Sequence, residues 1–285
     1  MRSLAERLAG ISLPLWSRLL LAGFCVGAAL GAAAWGRDAY FFYGGRFFFK
    51  TERWGLAAST FEHFLARRPQ DPRACDIHLR LGRIYARRFQ RYSEAKRHFE
   101  TAARDFQGQA ACAAAAKDAI LDCPDYFPLE SGRVWLYGDT ASGGRNMKMS
   151  VETKAAADGK GWSLDAALYA GGRRVESIHK VYGKKDWAVW ELPGQTMVLR
   201  YPFRAGQSWR SRRGRDELAF RIEAEGLSVK IRAGTFSDCI KVRESSALFP
   251  QSWKYDYYAP GVGRIKTSVG APGVENPNTE LLDYR

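Results

Sequence analysis

Two stretches of the chain, "FPLESGRVW" at Phe127–Trp135 and "YPFRAGQSW" at Tyr201–Trp209, repeat one pattern. Each copy has an aromatic residue, a proline and an apolar residue, followed by a glycine and a tryptophan at fixed spacing. The pattern is typical of a turn stiffened by proline that leads through a glycine bend into a strand with a buried tryptophan. It predicts a domain of two related sheet halves with these structural residues: Pro128, Gly132, Trp135, Pro202, Gly206 and Trp209.

Around both copies, residues 124–285 consist of short runs such as "RVWLYG", "LSVKIRAG" and "WKYDYYAPG", in which apolar and polar residues alternate between glycines. Alternation with period two and frequent turns predicts an antiparallel all-β domain, either a curved sheet or a half-barrel. The motifs "AGTFSDCIKVRE" and "YYAPGVGRIK" resemble those of uncharacterised bacterial envelope domains of half-barrel shape that are related to lipoprotein carriers.

Upstream, a repeat of about 34 residues begins at Asp38. Gly45 and Phe61 in its first copy correspond to Gly82 and Phe99 in its second. At these residues the chain resembles the tetratricopeptide family, in the version found in bacterial envelope-assembly proteins. The resemblance implies paired helical hairpins over residues 37–123 and protein binding in a shallow concave groove.

The N-terminal region contains an uncharged apolar stretch, Leu19 to Trp35, bracketed by Arg18 and Arg37. Its length is sufficient to cross a bilayer as a helix. We therefore expect residues 1–36 to form a cytoplasmic tail and a transmembrane anchor. The alternative is a cleaved signal peptide, for which the small residues 32–34 offer a processing site.

A short tail before a long C-terminal part favours an anchor with its N-terminus inside. This orientation predicts a single-pass protein of the inner membrane with residues 37–285 in the periplasm. Within the span, Gly23, Gly27 and Gly31 recur every four residues, which predicts a close-packed face and a homodimer. The alternative is that small residues are simply common in such spans.

The predicted fold class is therefore α+β: an N-terminal transmembrane helix, tetratricopeptide-like helical hairpins, and an antiparallel curved sheet or half-barrel. The predicted boundaries are residues 1–36 for the anchor, 37–123 for the helical domain and 124–285 for the β-domain.

The formal net charge of +14 is spread along the chain. It favours an anionic partner such as lipid or polysaccharide, and nucleic acid is not expected for an exported chain. Four arginines recur at helical spacing and predict a cationic stripe, or alternatively an ordinary solvated face: Arg80, Arg83, Arg87 and Arg91.

Four cysteines follow the apolar stretch, namely Cys75, Cys112, Cys123 and Cys239. Four thiols allow three pairings. The repeat register places Cys75 and Cys112 on first helices of successive repeats, which favours a bridge between them and leaves Cys123 for Cys239. The alternative is that these are small buried thiols that never pair.

Chemistry-bearing motifs are absent from the sequence. The four histidines are not at ligand spacing, and no phosphate-binding glycine loop or nucleophile elbow occurs. We therefore expect no metal, no cofactor, no catalytic residues and no enzyme activity.

Two functions fit these observations. The first is a membrane-anchored periplasmic scaffold with tetratricopeptide repeats that binds protein partners in the cell envelope. The alternative is a carrier of lipid or another hydrophobic ligand, held on a concave β-sheet. A continuous apolar cleft in the sheet would favour the carrier.

Overall fold

A computed structural model of the chain describes residues 36–156 and 161–285. Five helices come first and twelve strands follow. The helices are α1 (residues 36–50), α2 (Trp54–Arg67), α3 (Ala74–Arg87), α4 (Tyr92–Asp105) and α5 (Ala110–Leu121).

The helices pack closely in pairs, because a glycine of one helix faces a phenylalanine of the other. A Cβ atom on Gly45 would lie 2.5 Å from the ring of Phe61, and one on Gly82 would lie 2.4 Å from the ring of Phe99. Both phenylalanines are almost fully buried. The absence of a side chain at each glycine therefore lets the phenylalanine ring of α2 contact the backbone of α1, and that of α4 contact the backbone of α3.

The prediction of tetratricopeptide hairpins is wrong. Such hairpins would form a stack with its own core, whereas the buried side chains of these helices belong to one hydrophobic core that continues into the β-sheet as far as Tyr258. The Tyr201 hydroxyl also donates a hydrogen bond to Glu100 of α4. The repeated small and aromatic positions reflect close packing of paired helices, which requires the same residue types in any helical arrangement.

The transmembrane helix of the predicted fold class is also contradicted. Among the helices of residues 36–156 and 161–285, none combines the length and the apolar character needed to cross a membrane. The stretch from Leu19 to Trp35, with Gly23, Gly27 and Gly31, lies outside the described residues.

All twelve strands belong to one antiparallel sheet. They are β1 (Val134–Asp139), β2 (Met147–Ala155), β3 (Trp162–Ala170), β4 (Arg173–Lys185), β5 (Ala188–Leu192), β6 (Thr196–Arg200), β7 (Ser208–Arg213), β8 (Asp216–Ile231), β9 (Gly234–Ser246), β10 (Trp253–Ala259), β11 (Gly263–Ala271) and β12 (Val274–Tyr284). The order across the sheet is β6-β5-β4-β3-β2-β1-β12-β11-β10-β9-β8-β7.

This order consists of two six-stranded meanders, β1–β6 and β7–β12, joined where β1 pairs with β12. Side-chain hydrogen bonds connect the two outer strands, β6 and β7, so the sheet forms a nearly closed barrel. The predicted half-barrel is thus corrected, because curvature of a sheet this wide brings its edges together.

The two copies of the sequence repeat lie at the start of the two meanders. Gly132 and Gly206 both adopt positive φ, +82° and +89°, before β1 and β7 respectively. Trp135 and Trp209 are both buried, and each indole N–H donates to a backbone carbonyl, of Val262 and Met197 respectively. Pro128 and Pro202 precede the two glycines in the connecting turns.

One predicted disulfide is confirmed. Cys75 at the start of α3 is bonded to Cys112 in α5, with 6.4 Å between their Cα atoms. The second predicted bridge, between Cys123 and Cys239, is not formed. Both cysteines are free and buried. The thiol of Cys123 faces the Tyr92 carbonyl, whereas that of Cys239 faces the Phe236 carbonyl, within its own strand.

Candidate functional site

The interior of the barrel contains a cavity of about 130 Å³. Its lining includes the aromatic side chains of Phe127, Trp135, Tyr182, Phe220 and Tyr258. It also includes charged side chains from β4, β5, β7, β9, β10 and β11. The cavity therefore offers both apolar and charged contacts to one occupant.

Strand β10 shows how charge reaches the interior. Lys254, Asp256 and Tyr258 alternate along this strand and line the cavity. The intervening Tyr255 and Tyr257 have a cation, Lys241, over their rings instead. Alternation along the strand is thus present as expected, but the charged set points inward.

A chain of ion pairs crosses β7, β9 and β10. Arg213 lies 2.8 Å from Glu244, and Lys254 lies 2.9 Å from both Glu244 and Asp256. The Thr267 hydroxyl donates to Asp256 at 2.7 Å. Because each charge has an opposite partner, the group can remain ionised away from bulk water.

The pKa values of this group follow from burial and pairing. Burial alone would raise the pKa of Glu244 and of Asp256, but Lys254, with Arg213 for Glu244 and Arg264 for Asp256, holds both below their ordinary values. Burial alone would lower the pKa of Lys254, but its two carboxylate partners raise it. All three groups are therefore charged at neutral pH.

A second ion pair lies on the β4–β5 side of the cavity. The ammonium of Lys180 is 2.9 Å and 3.0 Å from the two carboxylate oxygens of Glu191. The hydroxyl of Tyr182 donates to the same carboxylate at 3.5 Å. Burial, with Glu191 as a second cause, raises the pKa of Tyr182, so its hydroxyl keeps its proton.

Arg264 is brought into the cavity by a β-bulge. Tyr257 pairs with Lys266 whereas the next residue, Tyr258, pairs with Arg264, so Ile265 is an extra residue in β11. A bulge changes which face the following side chain occupies. Arg264 consequently lies opposite the interior residue Tyr258, and it lines the cavity.

The guanidinium of Arg264 has weaker pairing than the other interior cations. Its nearest carboxylate oxygen among the described residues, on Asp256, is 3.9 Å away. About a third of its side-chain surface, 34%, is accessible although the residue lies inside the barrel, so this surface faces the cavity. Burial alone would lower its pKa, but Asp256 raises it, and the group is permanently charged.

The cavity has an excess of positive charge. Among the described residues that line it, four are cationic (Lys180, Arg213, Lys254 and Arg264) and three are anionic (Glu191, Glu244 and Asp256). The excess is one charge. An occupant that carries one negative charge would make the site neutral.

The four arginines of the predicted stripe do not all lie on one helix. Arg80, Arg83 and Arg87 belong to α3, whereas Arg91 follows the end of that helix. Arg80 is paired with Asp76 and Arg91 with Glu94. Arg83 and Arg87 are exposed and border a surface groove with Asp118 and Asp122. The stripe is therefore a mixed-charge surface.

Two histidines that are twenty residues apart in sequence are brought together. The Nδ1 atoms of His78 and His98 are 2.9 Å apart, and burial lowers their pKa values to about 4 and about 3. Within the described residues, no group of three or more ligating side chains could hold a metal ion.

Sequence reasoning missed the interior charges altogether, because alternating charged residues on a strand are usually solvent-facing. The available signal was "WKYDYYAPG", in which Lys254 and Asp256 share a face with Tyr258. The sequence shows that these three side chains lie on one face of the strand. It does not show whether that face points into the barrel or into solvent.

No family model matches the chain, and no curated protein matches its sequence. Two solved structures are similar to it. One, from Bacteroides fragilis, is named as an exported protein with a YmcC-like fold; it shows 14% identity and a TM-score of 0.39, over 56% of this chain and 98% of that one. The other, from Parabacteroides distasonis, is named as a lipoprotein; it shows 17% identity and a TM-score of 0.36, over the same shares.

The comparisons give no support to the tetratricopeptide family.

Proposed function

We propose that this chain is a ligand-binding protein of the cell envelope that holds a small amphipathic molecule inside its barrel. The observation that carries the proposal is an interior cavity lined by both aromatic and charged side chains. Small-molecule sites combine these two features, because apolar contact supplies affinity and a few polar groups fix orientation.

The cavity volume limits the ligand. A cavity of about 150 Å³ engineered into another protein is large enough for benzene. The volume here, about 130 Å³, suits one ring or a short alkyl chain. The proposal therefore modifies the carrier expected from the sequence: the barrel accommodates a small molecule, or one end of a longer one, instead of a complete lipid.

An envelope location is supported by the Cys75–Cys112 disulfide. Structural disulfides persist in oxidising compartments and are rare in the cytosol of most organisms. Protein partners, a homodimer and contact with anionic lipid or polysaccharide, which the sequence suggested, stay predictions.

The test is occlusion of the cavity in the full chain. Val198 of β6 lines the cavity, whereas Val175 of β4 is 58% exposed and serves as the matched control. Isothermal titration calorimetry with benzoate, hexanoate and benzyl alcohol should detect binding of at least one probe. We expect V198F to weaken that binding at least tenfold and V175F to leave it unchanged.

Either of two results would overturn the proposal. One is absence of heat from all three probes at millimolar concentration. The other is a folded V198F protein that binds them as tightly as the unsubstituted protein.

A further inference from the structure

Among the described cations that line the cavity, Arg264 is the one that lies farthest from a carboxylate oxygen. The charged groups of Lys180, Arg213 and Lys254 each lie within 3.0 Å of a carboxylate oxygen. The corresponding distance for Arg264 is 3.9 Å, and no described residue accepts a hydrogen bond from its guanidinium. About a third of the side-chain surface is accessible, so the N–H donors can reach an acceptor that enters the cavity.

The described neighbours of Arg264 hold it in place but accept no hydrogen bond from its guanidinium. The Tyr137 hydroxyl donates to the Arg264 carbonyl at 2.8 Å, which fixes the backbone at the bulge. The guanidinium lies 5.3 Å from the centre of the Tyr137 ring. A contact of this kind positions the planar group but leaves its N–H donors free in the plane.

We propose that the ligand carries a single carboxylate and that Arg264 binds it, with the aromatic side chains of the cavity lining contacting the remainder of the molecule. The inference rests on the proposed function, because it names the ligand class of the same cavity. A guanidinium matches a carboxylate with two parallel N–H···O hydrogen bonds. The ligand class is thus a small aromatic or short-chain monocarboxylate.

The charge balance distinguishes a monoanion from other ligands. The cavity lining has an excess of one positive charge, which one carboxylate neutralises. A phosphate dianion would introduce a second negative charge close to Asp256 and Glu244. A neutral alcohol of the same shape would leave the guanidinium uncompensated.

The experiment compares three probes that share a phenyl group: benzoate, benzyl alcohol and phenyl phosphate. Calorimetry at pH 7 on the full chain should show benzoate binding at least tenfold tighter than either of the others. We expect R264Q to weaken benzoate binding at least tenfold while benzyl alcohol binding is unchanged. R264K keeps the charge but lacks the two-pronged geometry, and it should show an intermediate loss.

The matched control is R210Q, because Arg210 is an exposed arginine on β7. This variant should bind benzoate as the unsubstituted protein does. If R264Q does not fold, R264K decides, since full benzoate affinity in a folded R264K protein would overturn the proposed two-pronged contact.

The outcomes separate this inference from the function on which it rests. If benzyl alcohol binds as tightly as benzoate, or phenyl phosphate binds more tightly, the carboxylate assignment is overturned while a ligand-binding barrel stands. If R264Q binds benzoate normally, Arg264 is not the anchor. If no probe binds, both proposals fail.

Discussion

The barrel is joined at two places that the internal repeat makes equivalent, yet the two joints use different hydrogen bonds. At the joint between β1 and β12, backbone pairing runs from Trp135 and Tyr284 to Asp139 and Thr279. At the joint between β6 and β7, hydrogen bonds involve side chains: the Met197 N–H donates to the Ser211 hydroxyl, and the Thr196 hydroxyl donates to the Arg212 carbonyl.

The two repeat tryptophans also make different contacts at the two joints. The indole of Trp135 donates to the carbonyl of Val262, on the loop before β11 and away from the β1–β12 pairing. Trp209 donates to the carbonyl of Met197 in β6 at 3.1 Å, which occupies an acceptor that a ladder with β7 would use. The same position of the repeat is therefore part of the β6–β7 joint in one copy and lies outside the β1–β12 joint's hydrogen bonds in the other.

The largest expected effect comes from truncating the two tryptophans. Because both are 95% buried, W135A and W209A should each lower the free energy of unfolding by about 3–5 kcal/mol. W209A should also accelerate amide hydrogen exchange across β6, whereas W135A should leave the β1–β12 ladder protected. Urea unfolding and exchange measured by mass spectrometry give the two readouts. Equal loss of protection at both joints would show that they are not different in kind.

A smaller effect should appear on acidification, at a carboxylate of β12 outside the segment that pairs with β1. Glu275 of β12 accepts hydrogen bonds from Lys241, Tyr257 and Ser268. Burial alone would raise its pKa, but these partners lower it to about 2. Since the folded-state pKa lies below the ordinary value, the contribution is complete above about pH 4.5 and is lost as the pH falls towards 2.

The expected contribution is at most about 3 kcal/mol at neutral pH. It is measured as the difference in unfolding free energy between the unsubstituted protein and E275Q, which should be largest at pH 7 and vanish near pH 2. The hydroxyls and indole at the β6–β7 joint do not titrate in this range. A difference that is independent of pH would contradict the assignment.

The smallest effect is expected when one threonine near each joint is replaced with valine. Thr196 is almost fully buried and its hydroxyl donates to the Arg212 carbonyl at 2.9 Å. T196V should therefore cost about 1 kcal/mol. The hydroxyl of Thr140, just after β1, is buried without a hydrogen-bond partner among the described residues. T140V should be neutral or slightly stabilising.

Thermal denaturation of the two valine variants provides the measurement. If both substitutions cost the same, the side-chain hydrogen bond at the β6–β7 joint contributes nothing specific.

The sequence predicted the two halves because the repeat records a local turn that each half needs. It did not predict closure, which depends on the curvature of the complete sheet. The helices illustrate the opposite error. Gly45 with Phe61 and Gly82 with Phe99 pack as expected, but the same pairs serve any close helix contact, so they did not identify a family.

The candidate site was beyond sequence reasoning for a related reason. Period two shows that Lys254 and Asp256 share a face, but not that this face is the interior. Arg264 was harder still, since its direction depends on the extra residue Ile265 in β11. A bulge of one residue has no signal in the alternation of a nine-residue strand.

The pairing of β1 with β12 has a consequence for how the protein is made. The backbone groups of Val134 and Arg285 exchange hydrogen bonds, so the middle of the sheet joins residues about 150 positions apart in sequence. During synthesis, β1 emerges long before β12 and presents an unpaired edge until its neighbour arrives. Contacts of such long range slow folding and leave strand edges exposed. The edge of β1 is therefore the part of the first meander that stays open longest during synthesis.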